Sequence, residues 1–225
     1  GTDTSPAAGY PGTAVNASAV SDGTRGNVLG LTGNGYVQTT GHFGNPGNVT
    51  LAAWVKLNAA DSFGAEVISL GDSVLLRLDQ SGSLEGVFYD GSNWILTSYG
   101  TVLAGTGWHH VAYTFNDTGN VATLYLDGTA LVSTATTASI SYTLGANSFI
   151  GKHGNGSVDY DFNGLIDDAR VYSRALSATE IAALAVDKSL QDTDTVAVTV
   201  NAVNDAPAGA DKSQSTTRRL VPTRR

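Results

Sequence analysis

Two carboxylates stand side by side where the sequence otherwise indicates a strand: Asp167 and Asp168, within FNGLIDDARVY (162–172). Neighbouring side chains of a strand point to opposite faces of the sheet. By this alternation Asp167 shares its face with three apolar residues, Leu165, Ala169 and Val171. Because a bare carboxylate is very costly in apolar surroundings, Asp167 needs a partner: backbone N–H groups, Arg170 or a bound cation. Asp168 shares the other face with Arg170, and we expect these two to form an ion pair.

Two loop segments carry the residue types that bind sugars. Sugar sites combine an aromatic face for C–H stacking with planar amide or carboxylate groups for hydrogen bonds. The segment KHGNGSVDYDF (152–162) supplies His153, Asn155, Asp159, Tyr160 and Asp161. The segment FYDGSNW (88–94) supplies Tyr89, Asp90, Asn93 and Trp94. Functional residues concentrate on loops, so both segments are candidate ligand sites. Gly, Asn, Asp and Ser are also ordinary turn formers, which leaves plain turn chemistry as the alternative for each.

The elements that must position these loops are predicted to be strands. Short apolar runs alternate with turn clusters rich in Gly, Ser, Thr and Asn, which is typical of an all-β sandwich or barrel. The predicted strands are 48–57, 66–70, 73–80, 84–90, 93–98, 108–116, 121–127, 129–134 and 147–152. Asp127-Gly128 suits a two-residue hairpin turn. One helix is expected, beginning at the capping box formed by Ser177 and Glu180.

Composition excludes several classes of function. The 225 residues carry a formal net charge of −8, and four of the twelve basic residues are arginines in the last eight positions. A chain this acidic is repelled by nucleic-acid phosphates and by anionic membranes. The absence of cysteine excludes disulfides, a thiolate nucleophile and Cys-type zinc sites. No apolar run is long enough to cross a membrane, so we expect no membrane insertion.

The order of five motifs gives the sequence a family resemblance. AAWVKLN (52–58), GWHHVAYTFN (107–116), LYLDGTALV (124–132), IGKH (150–153) and FNGLIDDARVYSRALSATEI (162–181) resemble bacterial laminin-G-like, or concanavalin-A-like, domains. The resemblance covers residues 1–186 and implies a two-sheet antiparallel jelly-roll sandwich with one short C-terminal helix. It also implies a non-catalytic module that binds glycans or other surface ligands within a large secreted or surface protein.

The resemblance further implies a structural calcium site. In sandwich-fold relatives an aspartate at the start of the last long strand holds Ca²⁺, with partners from the N-terminal segment and a backbone carbonyl. The matching residues are Asp167 with Asp168 beside it, Asp3, and Gly35 in the Gly33-Asn34-Gly35 turn. Calcium takes six to eight oxygen ligands, which carboxylates, carbonyls and water would supply.

The sequence changes character after Val186. Residues 187–209 contain TDTVAVTVNAVNDAPAG (193–209), which resembles the closing strand and linker of cadherin-like repeats in bacterial adhesins. In such linkers an Asn-Asp-x-Pro motif, here at Asn204, Asp205 and Pro207, commonly helps to bind calcium. Residues 210–225 are polar, basic and aperiodic, so we expect a disordered tail, for which an origin in cloning is one interpretation.

The leading hypothesis is a calcium-dependent carbohydrate-binding module of a secreted or cell-surface bacterial adhesin, acting as a monomeric unit of a larger chain. The alternative is a structural spacer or protein-interaction domain without glycan affinity. A sandwich-fold glycoside hydrolase is a minor alternative, because such enzymes need paired carboxylates. The three glutamates, Glu66, Glu85 and Glu180, do not show the Glu-x-Asp-x-x-Glu spacing of sandwich-fold glucanases. The chain is therefore not expected to be an enzyme.

Overall fold

The computed structural model describes residues 10–186, which form twelve strands and one helix. The strands are β1 (Thr13–Asp22), β2 (Gly26–Thr40), β3 (Val49–Ala59), β4 (Gly64–Leu70), β5 (Val74–Asp79), β6 (Leu84–Tyr89), β7 (Trp94–Tyr99), β8 (His109–Asn116), β9 (Val121–Leu126), β10 (Thr129–Ala135), β11 (Asn147–Ile150) and β12 (Asn163–Tyr172). The helix is α1 (Ala178–Leu184). Asp3, the 187–209 segment and the 210–225 tail lie outside the described residues, so the predictions made for them stay predictions.

Strand β2 belongs to both layers of the sandwich. Its residues 29–32 pair with β12, whereas its residues 37–40 pair with β11. Between these stretches Gly33 has a φ of 73°, in the left-handed region that favours glycine. The full strand order is β10-β9-β8-β3-β12-β2-β11-β4-β5-β6-β7, with β1 paired to β2 outside this path. The predicted antiparallel jelly-roll sandwich is confirmed, although its two layers are one continuous sheet that folds over at β2.

The alternation of side chains along the strands places one face of each layer in a shared core. Phe88 of β6 and Phe115 of β8 meet across the sandwich, with ring centroids 4.4 Å apart. Both rings are fully buried, and burial of a Phe side chain contributes roughly 1.5–3 kcal/mol. Tyr113 packs onto Gly86, where the Cβ atom of any other residue would overlap its ring. Gly86 is therefore fixed by packing rather than by turn geometry.

Helix α1 covers the outer face of the β3–β8–β9 layer. Its buried Ile181 packs with Leu176 against Ala52, Ala112 and Tyr125. The predicted capping box is present: the Ser177 hydroxyl accepts a hydrogen bond from the Glu180 N–H, and the Glu180 carboxylate accepts one from the Ser177 N–H at 2.9 Å. No helix within residues 10–186 is long and apolar enough to cross a membrane.

The predicted hairpin between β9 and β10 is also confirmed. Asp127 and Gly128 have φ values of 48° and 79°. A two-residue turn with both φ values positive matches the right-handed twist of the flanking strands. Leu126 and Thr129 are paired on either side of it.

Candidate functional site

The two adjacent aspartates do not lie on opposite faces of β12, as simple strand alternation predicted. The register with β3 shifts between Asp167 and Arg170, and Asp168 has a φ of 48°. This bulge places an extra residue in the strand and breaks the two-residue period. Both carboxylates consequently reach one guanidinium: Arg25 Nε lies 2.8 Å from Asp167 Oδ2, and Arg25 Nη2 lies 3.6 Å from Asp168 Oδ2. The expected pair between Asp168 and Arg170 is present as well, at 3.1 Å.

Arg25 is the counter-charge of Asp167. Its side chain is only 4% exposed. The guanidinium carbon lies 4.2 Å from the centre of the Trp54 ring and 5.4 Å from that of Trp108, in cation–π geometry. Asp22 orders the preceding turn by accepting a hydrogen bond from the Arg25 N–H at 3.1 Å. A rigid, planar guanidinium suits this position between an aromatic face and a carboxylate.

The described residues around Asp167 do not fit a calcium ion. A cation bound there would lie against the Arg25 guanidinium, which already pairs with the carboxylate. No group of three or more His, Cys, Asp or Glu side chains between residues 10 and 186 is arranged to hold a metal. Gly35 lies six residues along β2 from Leu29, whose partner on β12 is Ile166, next to Asp167. The bend at Gly33 separates Gly35 from that pairing, and the Gly35 carbonyl oxygen lies beside Gly151. A calcium site that uses Asp3 remains a prediction, because Asp3 is outside the described residues.

Gly35 has a different structural reason to be glycine. A Cβ atom at this position would overlap the carbonyl oxygen of Asn16 on β1. The pairing of β1 with β2 shifts register between Val15 and Ala17, and Asn16 itself has a φ of 48°. Asn16 alone stands opposite residues 32–35 of β2, so the extra residues lie on β2. This irregular pairing brings the two backbones so close at Gly35 that only glycine leaves enough room.

The 88–94 segment forms the turn between β6 and β7. Asp90 Oδ1 accepts hydrogen bonds from the N–H groups of Ser92 at 2.7 Å and Asn93 at 2.6 Å. The hydrogen bond from the Asn93 N–H lowers the pKa of the exposed Asp90 carboxyl. Asp90 thus holds the turn. Tyr89 and Trp94 are cross-strand partners with ring centroids 5.1 Å apart, and Trp94 is 45% exposed. This pair is an accessible aromatic platform.

The residues of the other predicted segment split between two sides of one loop, residues 152–161, which we call the covering loop. His153 and Tyr160 pack on β4 and β5, with their ring centroids 5.0 Å apart and Arg77 over the Tyr160 ring at 4.6 Å. The Tyr160 ring also lies 6.0 Å from that of Phe63. Asp159 and Asp161 instead line a cavity. Asn155 orders the loop itself, because its Oδ1 accepts a hydrogen bond from the Ser157 N–H at 2.7 Å. The sequence pattern located this loop but could not separate its two sides.

The cavity has a volume of about 470 Å³ and lies between the β3–β4 connection and the covering loop. We call it the Phe63 cavity. Its lining residues are Gly33, Ala59, Ala60, Asp61, Ser62, Phe63, Val158, Asp159, Asp161 and Asn163. Phe63 is 51% exposed and Val158 is 74% exposed. Its size falls within the range of about 300–1,000 Å³ that is typical of ligand pockets.

Asp61 joins the two walls of the Phe63 cavity. Its Oδ1 accepts hydrogen bonds from the N–H groups of Phe63 and Gly64, at 2.6 and 2.8 Å, which fixes the β3–β4 turn. Its Oδ2 accepts a hydrogen bond from the Asp161 N–H at 2.9 Å. The sequence analysis missed this wall because Ala-Asp-Ser-Phe-Gly reads as an ordinary turn. The only available signal was a large aromatic residue inside a turn cluster.

The Phe63 cavity is electronegative. Three carboxylates line it, and a cation close to them is Lys152, whose Nζ lies 3.4 Å from Asp161 Oδ1. Burial raises the pKa of Asp161, and the charges of Asp61 and Asp159 act in the same direction, whereas Lys152 opposes them. An exposed aromatic ring beside carboxylate and amide oxygens can stack on a sugar ring and accept hydrogen bonds from its hydroxyl groups.

Sequence comparison places this architecture in a known family. The family model described as the concanavalin A-like lectin/glucanases superfamily (Laminin_G_3) matches residues 31–182. That range runs from β2 into α1 and includes every residue that lines the Phe63 cavity. The chain belongs to this family. Comparison of the Laminin_G_3 chain with curated protein sequences finds no match.

Solved structures share the fold of this Laminin_G_3 domain. The binding domain of Paraclostridial Mosquitocidal Protein 1 has a TM-score of 0.65 at 15% identity, covering 82% of this chain and 48% of that one. This chain therefore spans about half the length of that binding domain. Domain 4 of AbnA, an extracellular GH43 arabinanase from Geobacillus stearothermophilus solved with arabinotriose, has a TM-score of 0.62 at 18% identity, covering 78% and 88%.

A structure of botulinum neurotoxin type C is similar as well, with a TM-score of 0.60 at 13% identity, covering 82% of this chain and 47% of that one. Cell entry of that toxin depends on interaction with two ganglioside molecules. At these identities the likeness shows a common fold. The Laminin_G_3 domain thus shares its architecture with domains of carbohydrate-binding and ganglioside-binding proteins.

Proposed function

We propose that this Laminin_G_3 domain is a non-catalytic module that binds carbohydrate or glycoconjugate in the Phe63 cavity. The observation that carries the proposal is the combination of a half-exposed aromatic ring with carboxylate and amide groups around one cavity of about 470 Å³. Phe63 would stack on the apolar face of a sugar ring, and Asp159 and Asn163 would accept or donate hydrogen bonds at its hydroxyl groups. The arabinotriose complex of a domain with the same fold supports this class of ligand.

The charge of the cavity favours neutral glycans. Asp61, Asp159 and Asp161 face the ligand space, and Lys152 offsets only one of them. An acidic sugar would place its carboxylate against this field, and like charges in a partly desolvated pocket repel strongly. We therefore propose neutral oligosaccharides as ligands, and we expect sialylated ones to bind more weakly.

The positions of the glutamates support binding over hydrolysis. Glu66 is fully buried, Glu85 pairs with Arg77 at 2.9 Å, and Glu180 caps helix α1. None of them lines the Phe63 cavity. Of the aspartates that do line it, Asp61 accepts hydrogen bonds from three backbone N–H groups and Asp161 pairs with Lys152. Among the described residues, that leaves only Asp159 without such a partner, whereas a glycosidase needs one carboxyl group as an acid and a second as a base or nucleophile. Release of reducing sugar from any glucan or arabinan by the purified chain would overturn the non-catalytic part of the proposal.

A glycan-array screen of the full chain tests the proposal, with affinities then measured by calorimetry. Arabinotriose and other neutral oligosaccharides are the probes, and sialylated oligosaccharides are the negatively charged comparison. Neutral glycans should bind, and the disadvantage of the sialylated ones should shrink at high salt because screening weakens repulsion. A chain that binds no glycan in a broad panel would instead be a spacer or protein-interaction domain.

Calcium dependence and an adhesin role complete the proposal. Their support is the resemblance of residues 193–209 to cadherin-like repeats and the excess of Asp over Glu. Because the described residues around Asp167 do not form a calcium site, the ligands would have to include residues outside 10–186, such as Asp3 or Asp205. EDTA should then lower the melting temperature through loss of mass-action stabilisation, and an unchanged melt would refute calcium binding.

In the cell, we propose that the domain is a monomeric module of a large secreted or surface protein of a bacterium. Beads coated with the chain should adhere to surfaces that carry its glycan and should detach in the presence of free sugar. Coated beads that stay unattached to a glycan the chain binds in solution would count against the adhesin role.

A further inference from the structure

Glu66 on β4 is a buried carboxyl group that the glycan-binding site does not use. Its side chain is fully buried, and neither carboxyl oxygen has a hydrogen-bond partner within the described part of the chain. The cross-strand neighbour of Glu66 is Arg77, but the Nε of that guanidinium already donates to Glu85 at 2.9 Å. Burial, with the nearby charges of Asp72 and Glu85, raises the pKa of Glu66 well above its usual range. Glu66 is therefore stable in this position as the neutral acid.

The covering loop packs against the backbone of Glu66 and against its charged neighbours. The Glu66 N–H donates a hydrogen bond to the Tyr160 carbonyl at 2.8 Å. The Tyr160 ring lies over Arg77 and beside His153, whose Nδ1 is 3.6 Å from Asp72 Oδ1. At its base the loop is closed by a hydrogen bond of 3.1 Å from the Phe162 N–H to the Gly151 carbonyl, just outside residues 152–161. Opening of this loop would break its hydrogen bond to Glu66 and would uncover Arg77 and Asp72 beside it.

The same loop forms one wall of the Phe63 cavity. Val158, Asp159 and Asp161 line that cavity, and the Asp161 N–H is bonded to Asp61 on the opposite wall. One face of the covering loop thus meets the ligand space, and the other face meets a carboxyl group that resists ionisation. A change in the position of the loop would alter both at once.

We propose that protonation of Glu66 locks the covering loop shut, so that closure of the Phe63 cavity is coupled to a proton. In the closed state Glu66 is neutral. In the open state it is hydrated and ionises with the ordinary affinity of a glutamate for protons. Rising pH therefore favours the open state throughout the range above about pH 4.5 and below the pKa of the closed state. This inference rests on the proposed function only in assigning the cavity a glycan ligand. The affinity for that ligand would fall as the closed state is lost.

Among the other charged groups near Glu66 and in the covering loop, Asp72 and Asp161 have raised pKa values that act in the same direction, and each is offset by a basic neighbour. Arg77 on β5 and Glu85 on β6 form an ion pair. His153 in the covering loop works in the opposite direction, because burial lowers its pKa and its protonation at low pH would favour opening. Asp72, in the β4–β5 turn, has a raised pKa through burial and is offset by His153. Loss of closure on the alkaline side is therefore assigned to Glu66, with Asp72 and Asp161 as the secondary contributors.

Hydrogen exchange of the full chain without ligand tests the coupling. Exchange rates of peptides spanning 152–162 are measured between pH 5 and pH 9 and corrected for intrinsic chemical rates. In the wild type, protection of the loop should fall by up to about tenfold per pH unit, because one proton is lost on opening. Glu66→Gln should abolish this slope. Glu180 is an exposed glutamate far from Glu66 in sequence, and Glu180→Gln should keep the slope.

Two results would overturn the proposal. One is loop protection that is independent of pH in the wild type, and the other is a pH slope that survives Glu66→Gln. If the Gln variant does not fold, Glu66→Leu takes its place, because Leu also removes the titrating group from this buried position and should likewise abolish the slope. The exchange readout needs no ligand, so its failure leaves the glycan proposal standing. Failure of every glycan to bind would likewise leave the result for the loop interpretable.

Discussion

Replacement of Arg25 by Met should destabilise the domain by about 3 kcal/mol. Breaking a buried ion pair from one side costs about 3–5 kcal/mol because the remaining charge is left without a partner. Asp167 is 24% exposed and can recover some hydration, which places the cost near the lower end. Loss of the cation–π contact with Trp54 adds about 0.5–2 kcal/mol, and the Met side chain returns part of the apolar packing.

Urea denaturation measures the change in unfolding free energy as a shift of the denaturation midpoint, provided that the dependence of that free energy on urea concentration stays constant. The matched control is Arg174→Met, which removes an exposed ion pair with Glu180 and should destabilise the domain much less, because solvent screens such pairs. A double-mutant cycle of Arg25→Met with Asp167→Asn should show that the two substitutions are strongly coupled. Two results together would refute the assignment of Arg25 as the counter-charge and would restore calcium at Asp167. The first is a cost below about 1 kcal/mol for Arg25→Met, and the second is a calcium-dependent melting temperature that Asp167→Ala abolishes.

Three further predictions concern stability. Glu66→Gln should make the domain more stable at neutral pH. Because the pKa of Glu66 is raised in the folded state, the stability of the wild type is highest below pH 4.5. Between pH 4.5 and that raised pKa it declines by about 1.4 kcal/mol per pH unit. An unchanged pH profile of the denaturation midpoint would show that Glu66 has other partners. Glu180 has the opposite sign, because hydrogen bonds from Arg174 and Ser177 lower its pKa to about 2. The stabilisation by ionised Glu180 is present above pH 4.5 and is lost towards pH 2. Glu180→Gln should therefore make the loss of stability at acid pH less steep, and an equally steep acid transition would contradict this. Gly86→Ala should cost at least about 1–3 kcal/mol by overpacking against the buried Tyr113 ring, a cost that Tyr113→Leu in the same chain should partly relieve.

Local rules of sequence predicted the local features of this molecule. The Asp127-Gly128 hairpin and the Ser177–Glu180 capping box were identified because each needs only a few neighbouring residues with characteristic chemistry. The sandwich followed from alternating apolar runs and from the family resemblance. Long β1 and β2 were missing from the strand list, because their Gly- and Asn-rich sequence weakens the apolar alternation.

Features that depend on distant contacts were not predictable. Arg25 is 142 residues from Asp167 in sequence, and no local pattern connects them. The bulge after Asp167 changes which way two side chains point, although the residues themselves read as a regular strand. In the Phe63 cavity, Asp159 and Asp161 were identified as candidates by their loop, whereas Phe63 was missed because a tertiary hydrogen bond between two loops brings it to them.

Calorimetry of glycan binding by Phe63→Ala and Trp94→Ala tests the central claim most directly. Both substitutions remove an exposed aromatic ring, but only Phe63 lines the cavity with the three carboxylates. For the neutral oligosaccharide that binds the wild type, we expect Phe63→Ala to weaken the Kd by about tenfold or more, equivalent to about 1.4 kcal/mol, and Trp94→Ala to leave it nearly unchanged. The reverse ranking would move the site to the Tyr89–Trp94 platform and contradict the account of the Phe63 cavity.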